Sequence, residues 1–232
     1  MDELNEKHVL NPKRFDLGFF TKYDGLSVVL EIVDGKVKSA ITRGDKELGT
    51  GQDKTGLFKY YDFSRACEIL KTNKFGLKCE ALVSKENFEE YNKKFGNGTL
   101  VDPRSAASSI LNSDDPTIEE LKYLTLMPLV ISLSGVEYPL PDHTKKLPEE
   151  LFSSMLDDSL DIVLKTNCDI PFIIERTKAI VKKMSEEIED IALPADGIVI
   201  RIENPEYIQA LGRDEVECIN NFERAYKFPH LS

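Results

Sequence analysis

The sequence predicts an α+β protein with largely antiparallel sheets. Three observations lead there: an Asp34-Gly35 dipeptide between two β-prone runs, a long helical periodicity over 171–191, and strands and helices that follow one another without regular βαβ alternation.

Positions 27–33 and 36–42 are β-prone, and Asp34-Gly35 between them suits a type I′ turn, in which both central residues need positive φ, so a hairpin is predicted. Positions 62–73 read as a helix, because Phe63, Ala66, Cys67, Ile69 and Leu70 can share one apolar face. A short strand at 78–83 precedes a helix at 85–95 capped by Ser84, and Pro103 suits the first turn of another helix running to about Leu111. Apolar and β-branched residues over 126–134 predict a buried strand, against which Pro128 counts because it cannot donate to a ladder. Over 171–191 the positions Ile174, Ile180, Val181, Met184 and Ile188 supply the helical face. A strand at 197–202 and a short helix, Pro205–Leu211, ended by Gly212 complete the series. The 232 residues suffice for a full core and no composition shift marks a boundary, so one compact unit is expected.

Hydrophobic residues at 41% and charged residues at 31% are ordinary for a folded globular chain. The apolar runs, such as 129–133, are too short to cross a bilayer, and the N-terminus has neither a basic region nor an apolar signal core, so a cytoplasmic location is expected. Cysteines 67, 79, 168 and 218 form no C-x-x-C pair and histidines 8, 143 and 230 share no ligand spacing, which argues against a zinc site or a disulfide framework. A formal net charge of -11 excludes a protein that grips nucleic acid over its whole surface. Any such grip must come from a local basic patch or from another module.

The chemistry-bearing segments form an ordered set: Lys22-Tyr23-Asp24-Gly25, Thr42-Arg43-Gly44-Asp45, Lys78-Cys79-Glu80, Asp196-Gly197-Ile198-Val199-Ile200-Arg201 and Ala225-Tyr226-Lys227-Phe228-Pro229. A sixth is Asp102-Pro103-Arg104-Ser105-Ala106-Ala107 and its continuation to Leu111. Together these resemble the nucleotidyltransferase motifs of NAD-dependent DNA ligases, written KxDG, TRGDG, RGE, DGVVIK, KFP and NPRNAAAGSL. One such motif alone is weak; six in the right order, spanning about 20 to 229, are specific.

The resemblance implies a nucleotidyltransferase fold, with a deep cleft between antiparallel sheets, in which a lead segment over 1–20 precedes an adenylation domain over 21–232. Lys22 is the implied nucleophile, with Asp24 beside it in a catalytic role. A lysine amine attacks phosphorus only when deprotonated, a state ~4.6 kcal/mol uphill at pH 7 from an ordinary pKa of ~10.4. Neighbouring cations and partial burial both disfavour the ammonium. By resemblance Arg43, Arg201 and Lys227 gather around the same phosphate and supply that environment, while Glu80 accepts hydrogen bonds from the ribose. Asp24 by itself would favour the ammonium, so its role is positional or is to help hold a divalent metal, and Gly25 lets the backbone approach the nucleotide. Arg104 contacts DNA phosphate or the nicotinamide-side phosphate. The plain alternatives are a surface lysine, an outward Glu on an alternating strand, solvated arginines and an Asp-Gly turn. Magnesium, held through carboxylates, water and phosphate, would offset charge.

Four departures bear on this expectation. Arg201 stands where the family has Lys, exchanging a compact cation for a planar fork. Phe20 replaces a Glu that helps select adenine. Lys78-Cys79 replaces Arg-Gly, and no aromatic residue within 126–134 aligns with the tyrosine that stacks on the base. The segments before Lys22 and after Lys227 are also too short for the family's nicotinamide-recognition, OB-fold, zinc, helix-hairpin-helix and BRCT modules. The expected substrates are NAD and nicked double-stranded DNA, with a second subunit or further modules supplying the DNA grip. The rivals are an ATP-dependent DNA or RNA ligase core and a non-catalytic subunit that binds a nucleotide or a partner.

Overall fold

The computed structural model describes residues 14–42, 51–142, 146–151, 160–167, 169–214 and 219–231. Numbered in chain order, the strands among them are β1 (Phe15–Tyr23), β2 (Leu26–Val33), β3 (Lys36–Thr42), β4 (Lys74–Val83), β5 (Leu124–Leu133), β6 (Val136–Pro139), β7 (Ile162–Thr166), β8 (Ala195–Ile202), β9 (Arg213–Asp214), β10 (Ile219–Asn220) and β11 (Glu223–Lys227). Their own contacts divide the chain into two units rather than the single one expected. The first comprises Met1–Lys22, Asp158–Ile191 and Ala195–Ser232, and the second Tyr23–Asp157 with Ala192–Pro194. Composition hides this division because the first unit is assembled from three separate stretches, so no linker separates it from the second. β1 also runs through position 20, where the sequence reading ended its lead segment.

The second unit is built on a five-stranded sheet in the order β3-β2-β4-β5-β6, with antiparallel pairings throughout. The hairpin forms as expected: Asp34 and Gly35 adopt φ of 51° and 74° between β2 and β3. On β2, Val28, Leu30 and Ile32 alternate into the core, and on β4 Phe75, Leu77, Cys79 and Ala81 do the same. The helix Pro103–Asn112 closes that core with Ala106, Ala107, Ile110 and Leu111, each fully buried. Burying each of the two larger side chains contributes roughly 1.5–3 kcal/mol. Its first turn is fixed by Pro103 and by Asp102, whose carboxylate accepts from Ser105 N–H at 2.6 Å. Ser84 caps the helix Lys85–Lys94 in the predicted way, accepting from Asn87 N–H.

Pro128 is accommodated inside β5 by a register irregularity. Lys78 pairs with Val130 while Cys79 pairs with Pro128, which leaves Leu129 as an extra residue at the irregularity. A proline that cannot donate is tolerated there because the ladder is already interrupted.

The first unit holds a four-stranded sheet in the order β11-β8-β1-β7. Phe19, Leu164, Ile198 and Phe228 pack on it with Ile180, Met184 and Ile188, which project from the helix Ile170–Glu187 and the 3-10 turn Ile188–Asp190 that continues it. The buried face of that helix begins at Ile173 rather than at Ile174, which is 49% exposed, while Ile180, Met184 and Ile188 are buried as the sequence predicts. Phe20, on the opposite face of β1 from Phe19, is buried as well, so β1 lacks the polar alternation that would have announced a strand. No helix among the described residues is long and apolar enough to cross a membrane.

Candidate active site

In the first unit β1 carries Lys22, and β8 and β11 carry the remaining charged groups. Lys22 Nζ donates to Asp196 Oδ1 at 2.6 Å, and Lys227 Nζ pairs with Asp196 Oδ2, also at 2.6 Å. One carboxylate therefore bridges two ammonium groups. Its side chain is 6% exposed, against 24% for Lys22 and 59% for Lys227. Burial pushes the Asp196 carboxyl up, but hydrogen bonds and charge from Lys22 and Lys227 outweigh it and hold the group below the usual carboxylate range.

Local geometry explains why Asp196 is followed by glycine. Gly197 pairs with Lys227 across the β8–β11 ladder, and a Cβ at Gly197 would stand 2.0 Å from Tyr226 O. The strands meet this closely only without a side chain, and the contact sets Lys227 beside the Asp196 carboxylate.

Arg201, two turns of the pleat further along β8, is buried. Its guanidinium carbon lies 4.1 Å from the centre of the Phe20 ring, and it pairs with Glu203 through Nε–Oε1 at 2.5 Å and Nη2–Oε2 at 3.4 Å. The cationic cluster expected around Lys22 is thus largely compensated among the described residues: Lys22 and Lys227 share Asp196, and Arg201 is paired with Glu203. The physical reason is burial, since a guanidinium removed from water without a counter-ion is strongly destabilising. Arg43, the remaining member of the expected cluster, lies outside the described residues.

The second unit carries the other sequence-predicted residues. Gly25 N–H donates to Glu80 Oε1 at 3.2 Å. Cys79 and Ala81 face the core and Glu80 the opposite side of β4, half-buried, so the carboxylate avoids the cost of a core position. A Cβ on Gly25 would fall 2.3 Å from Ala81 O, so this glycine is required by the approach of its own backbone to β4. Asp24 N–H donates to Pro194 O at 2.9 Å, and the Asp24 carboxylate accepts from Arg104 Nη1 at 2.7 Å. Sequence reasoning treated Asp24 and Arg104 separately, one for catalysis and one for nucleic acid; the structure makes them an ion pair.

Two charged residues were missed. Asp196 opened one of the quoted motifs but was given no role of its own, and Glu203 was not singled out. A charge inside or beside an otherwise apolar strand is the available signal in both cases. Among the described residues no cluster of three or more His, Cys, Asp or Glu side chains forms a metal-holding group.

A family model described as the NAD-dependent DNA ligase adenylation domain matches residues 4–231. A curated relative named DNA ligase from Nautilia profundicola is 27% identical over 234 residues, covering 97% of this chain and 33% of the relative. Another, from Campylobacter lari, is 27% identical over 221 residues, covering 94% of this chain and 32% of the relative. A third, from Aliarcobacter butzleri, is 28% identical over 221 residues, with 92% and 32% covered. The chain spans about a third of the length of these relatives.

Proposed function

Since this chain belongs to the NAD-dependent DNA ligase adenylation-domain family, matched over residues 4–231, we propose that it forms a lysyl-AMP intermediate on Lys22 and passes the AMP to nicked DNA. Its α+β architecture of antiparallel sheets flanked by helices agrees with the nucleotidyltransferase fold the sequence predicts.

The observation that carries the reading is the bridge Lys22–Asp196–Lys227, which draws together the first residue of one motif, the first of another and the lysine of a third. Lys22 Nζ, once deprotonated, attacks the α-phosphorus of NAD; the N–P bond forms as the bond to nicotinamide mononucleotide breaks. Asp196 orients the amine before attack, and its second oxygen stays on Lys227. Lys227, the more exposed of the two cations, offsets charge on the phosphate. The 5′-phosphate of a nick then displaces Lys22 from phosphorus, and the 3′-hydroxyl closes the strand with AMP leaving. Glu80, half-buried beside the Gly25 amide, is the proposed ribose acceptor.

Magnesium is part of the same proposal. The Asp24 and Asp196 carboxylates are engaged by Arg104 and by the two lysines, so the ion would be held through phosphate oxygens and water rather than by a protein cage. No step above is routed through it.

Intact mass spectrometry after incubation with NAD and magnesium tests the reading. An AMP adduct that Lys22→Ala abolishes is expected. An adduct from ATP but not from NAD overturns the choice of donor, and no adduct from either, with the remaining ligase modules supplied, overturns the function.

A further inference from the structure

An outer strand presents unpaired backbone groups, and the outer strands of the two sheets are not alike. Among the described residues β3 is bridged on its outer side by Asp53 and Asp62, β6 has four residues and ends at Pro139, and β7 exposes only Lys165. β11 lacks these protections. It is the outer strand of the order β11-β8-β1-β7, and Arg224, Ala225, Tyr226 and Lys227 are all exposed.

The ladder to β8 fixes which amides of β11 point outward. Ile202 N–H donates to Phe222 O and Phe228 N–H donates to Asp196 O, both at 2.9 Å, in an antiparallel register that sets Glu223 opposite Arg201 and Lys227 opposite Gly197. Hydrogen-bonded pairs alternate along such a ladder, so the backbone groups of Arg224 and Tyr226 face β8. Those of Glu223, Ala225 and Lys227 face the open edge.

Along that edge Glu223-Arg224-Ala225-Tyr226-Lys227 is complementary to its own reverse. A second copy laid antiparallel about a two-fold axis at Ala225 sets Glu223 against Lys227, Ala225 against Ala225 and Arg224 against Tyr226. The pairs that exchange backbone hydrogen bonds are then Glu223 with Lys227 and Ala225 with Ala225, the residues whose amides point outward. Arg224 and Tyr226 fall in the closer, non-bonded pairs, where a guanidinium covers the ring. Other registers do worse. A one-residue slip turns an outward amide onto an inward one, a two-residue slip sets Arg224 on Arg224 or leaves Glu223 opposite Pro229, and parallel in-register pairing sets Glu on Glu and Lys on Lys.

Lys227 is also the exposed cation of the bridge on Asp196. An ammonium has three donors, so Lys227 keeps Asp196 Oδ2 and still meets Glu223 of the second copy. Each copy thereby brings a carboxylate to the other's site.

We propose that β11 is a self-recognition edge, along which two copies of this chain join antiparallel about Ala225 into one continuous sheet, with Glu223 of each copy reaching Lys227 of the other. The pairing uses no step of the adenylylation reading, so either fails without the other. One short strand buries less than a stable complex does, which makes the dimer weak and concentration-dependent.

Sedimentation velocity of the full chain over roughly 5–500 µM should show a reversible monomer–dimer equilibrium. Ala225→Pro removes an outward amide without taking a bond from the β8 ladder and should abolish the dimer. Glu223→Lys makes both charge pairs repulsive and should weaken association at least about tenfold, by less in high salt. Hydrogen exchange in ¹H–¹⁵N spectra locates the contact: raising the concentration should slow the Ala225 and Lys227 amides and leave Arg224 and Tyr226, already bonded to β8, unchanged. If Ala225→Pro does not fold, exchange in the parent and sedimentation of Glu223→Lys decide the matter. A chain that stays monomeric over the whole range, a dimer that survives Ala225→Pro, or protection of these amides only when a different protein is added overturns the proposal.

Discussion

Arg104 Nη1 donates to Asp24 Oδ1 at 2.7 Å across 80 positions of sequence, joining the start of a helix to the turn after β1. With side-chain exposures of 52% and 29% the pair is partly screened by water, and such pairs are worth ~0.2–1 kcal/mol. A double-mutant cycle of Asp24→Asn and Arg104→Met, read by urea unfolding, should give a coupling in that range that shrinks at high salt. A coupling insensitive to salt would contradict the screened geometry.

Asp196 sets the acid limb of stability. Its carboxyl is held below its ordinary value of 3.8, with burial opposed and outweighed by Lys22 and Lys227. A depressed folded-state pKa contributes stability that is fully present above the unfolded value and lost as pH falls through the folded one. The gap in urea midpoint between the parent and Asp196→Asn should therefore be constant from pH 7 to 5 and narrow below about pH 4, near the unfolded carboxyl value. A gap that stays constant to pH 3 rules this account out.

The elements legible in the sequence were those whose signals are local. Asp34-Gly35 announced the β2–β3 hairpin, Ser84 and Pro103 announced two helix starts, and Gly212 the end of Pro205–Leu211. β1 was illegible because Phe19 and Phe20 are buried on opposite faces and leave no alternation to read. At the site, motif order drew attention to Lys22, Glu80, Arg201 and Lys227, but the partner of each depends on pairing between distant segments. Asp196 lies 174 positions from Lys22, and only the ladder that sets Gly197 opposite Lys227 brings its carboxylate between the two lysines. The burial of Arg201 and its pairing with Glu203 were equally invisible, because a sequence shows a charge and not its surroundings.

Gly25 is predicted to be intolerant of alanine for a backbone reason. The added Cβ would meet Ala81 O at 2.3 Å, and neither β2 nor β4 can retreat without opening their shared ladder. Gly25→Ala should cost ~1–3 kcal/mol, the usual range for overpacking. Urea midpoints check this, and a variant as stable as the parent would show that the Tyr23–Gly25 turn moves freely.

Cys79 and Cys67 should separate cleanly by reactivity. Burial pushes the Cys79 thiol up to about 12, with the Glu80 charge adding to the shift, so almost no thiolate exists at pH 8. Cys67 is half-buried on the helix Ser64–Leu70. Peptide mapping after iodoacetamide at pH 8 should find Cys67 modified and Cys79 protected until urea unfolds the chain. Early labelling of Cys79 would mean that the β2–β4–β5 core opens in the native state.

Lys227 and Lys22 share a carboxylate but differ in exposure, and that difference separates their roles. Lys22 must give up a proton and its contact with Asp196 to attack, whereas Lys227 can keep Asp196 Oδ2 and still meet an incoming anion, because its side chain is 59% exposed. Removing a charge that offsets a developing transition state typically costs 10²–10³ in rate. Lys227→Met should therefore slow lysyl-AMP formation by about that factor at saturating NAD, with Lys227→Arg recovering part of it. Lys22→Arg should recover nothing, since a guanidinium stays protonated and cannot be the nucleophile. If Lys227→Met changed only the half-saturating concentration, Lys227 would be binding the ground state alone, and the charge offset during transfer would have to come from elsewhere.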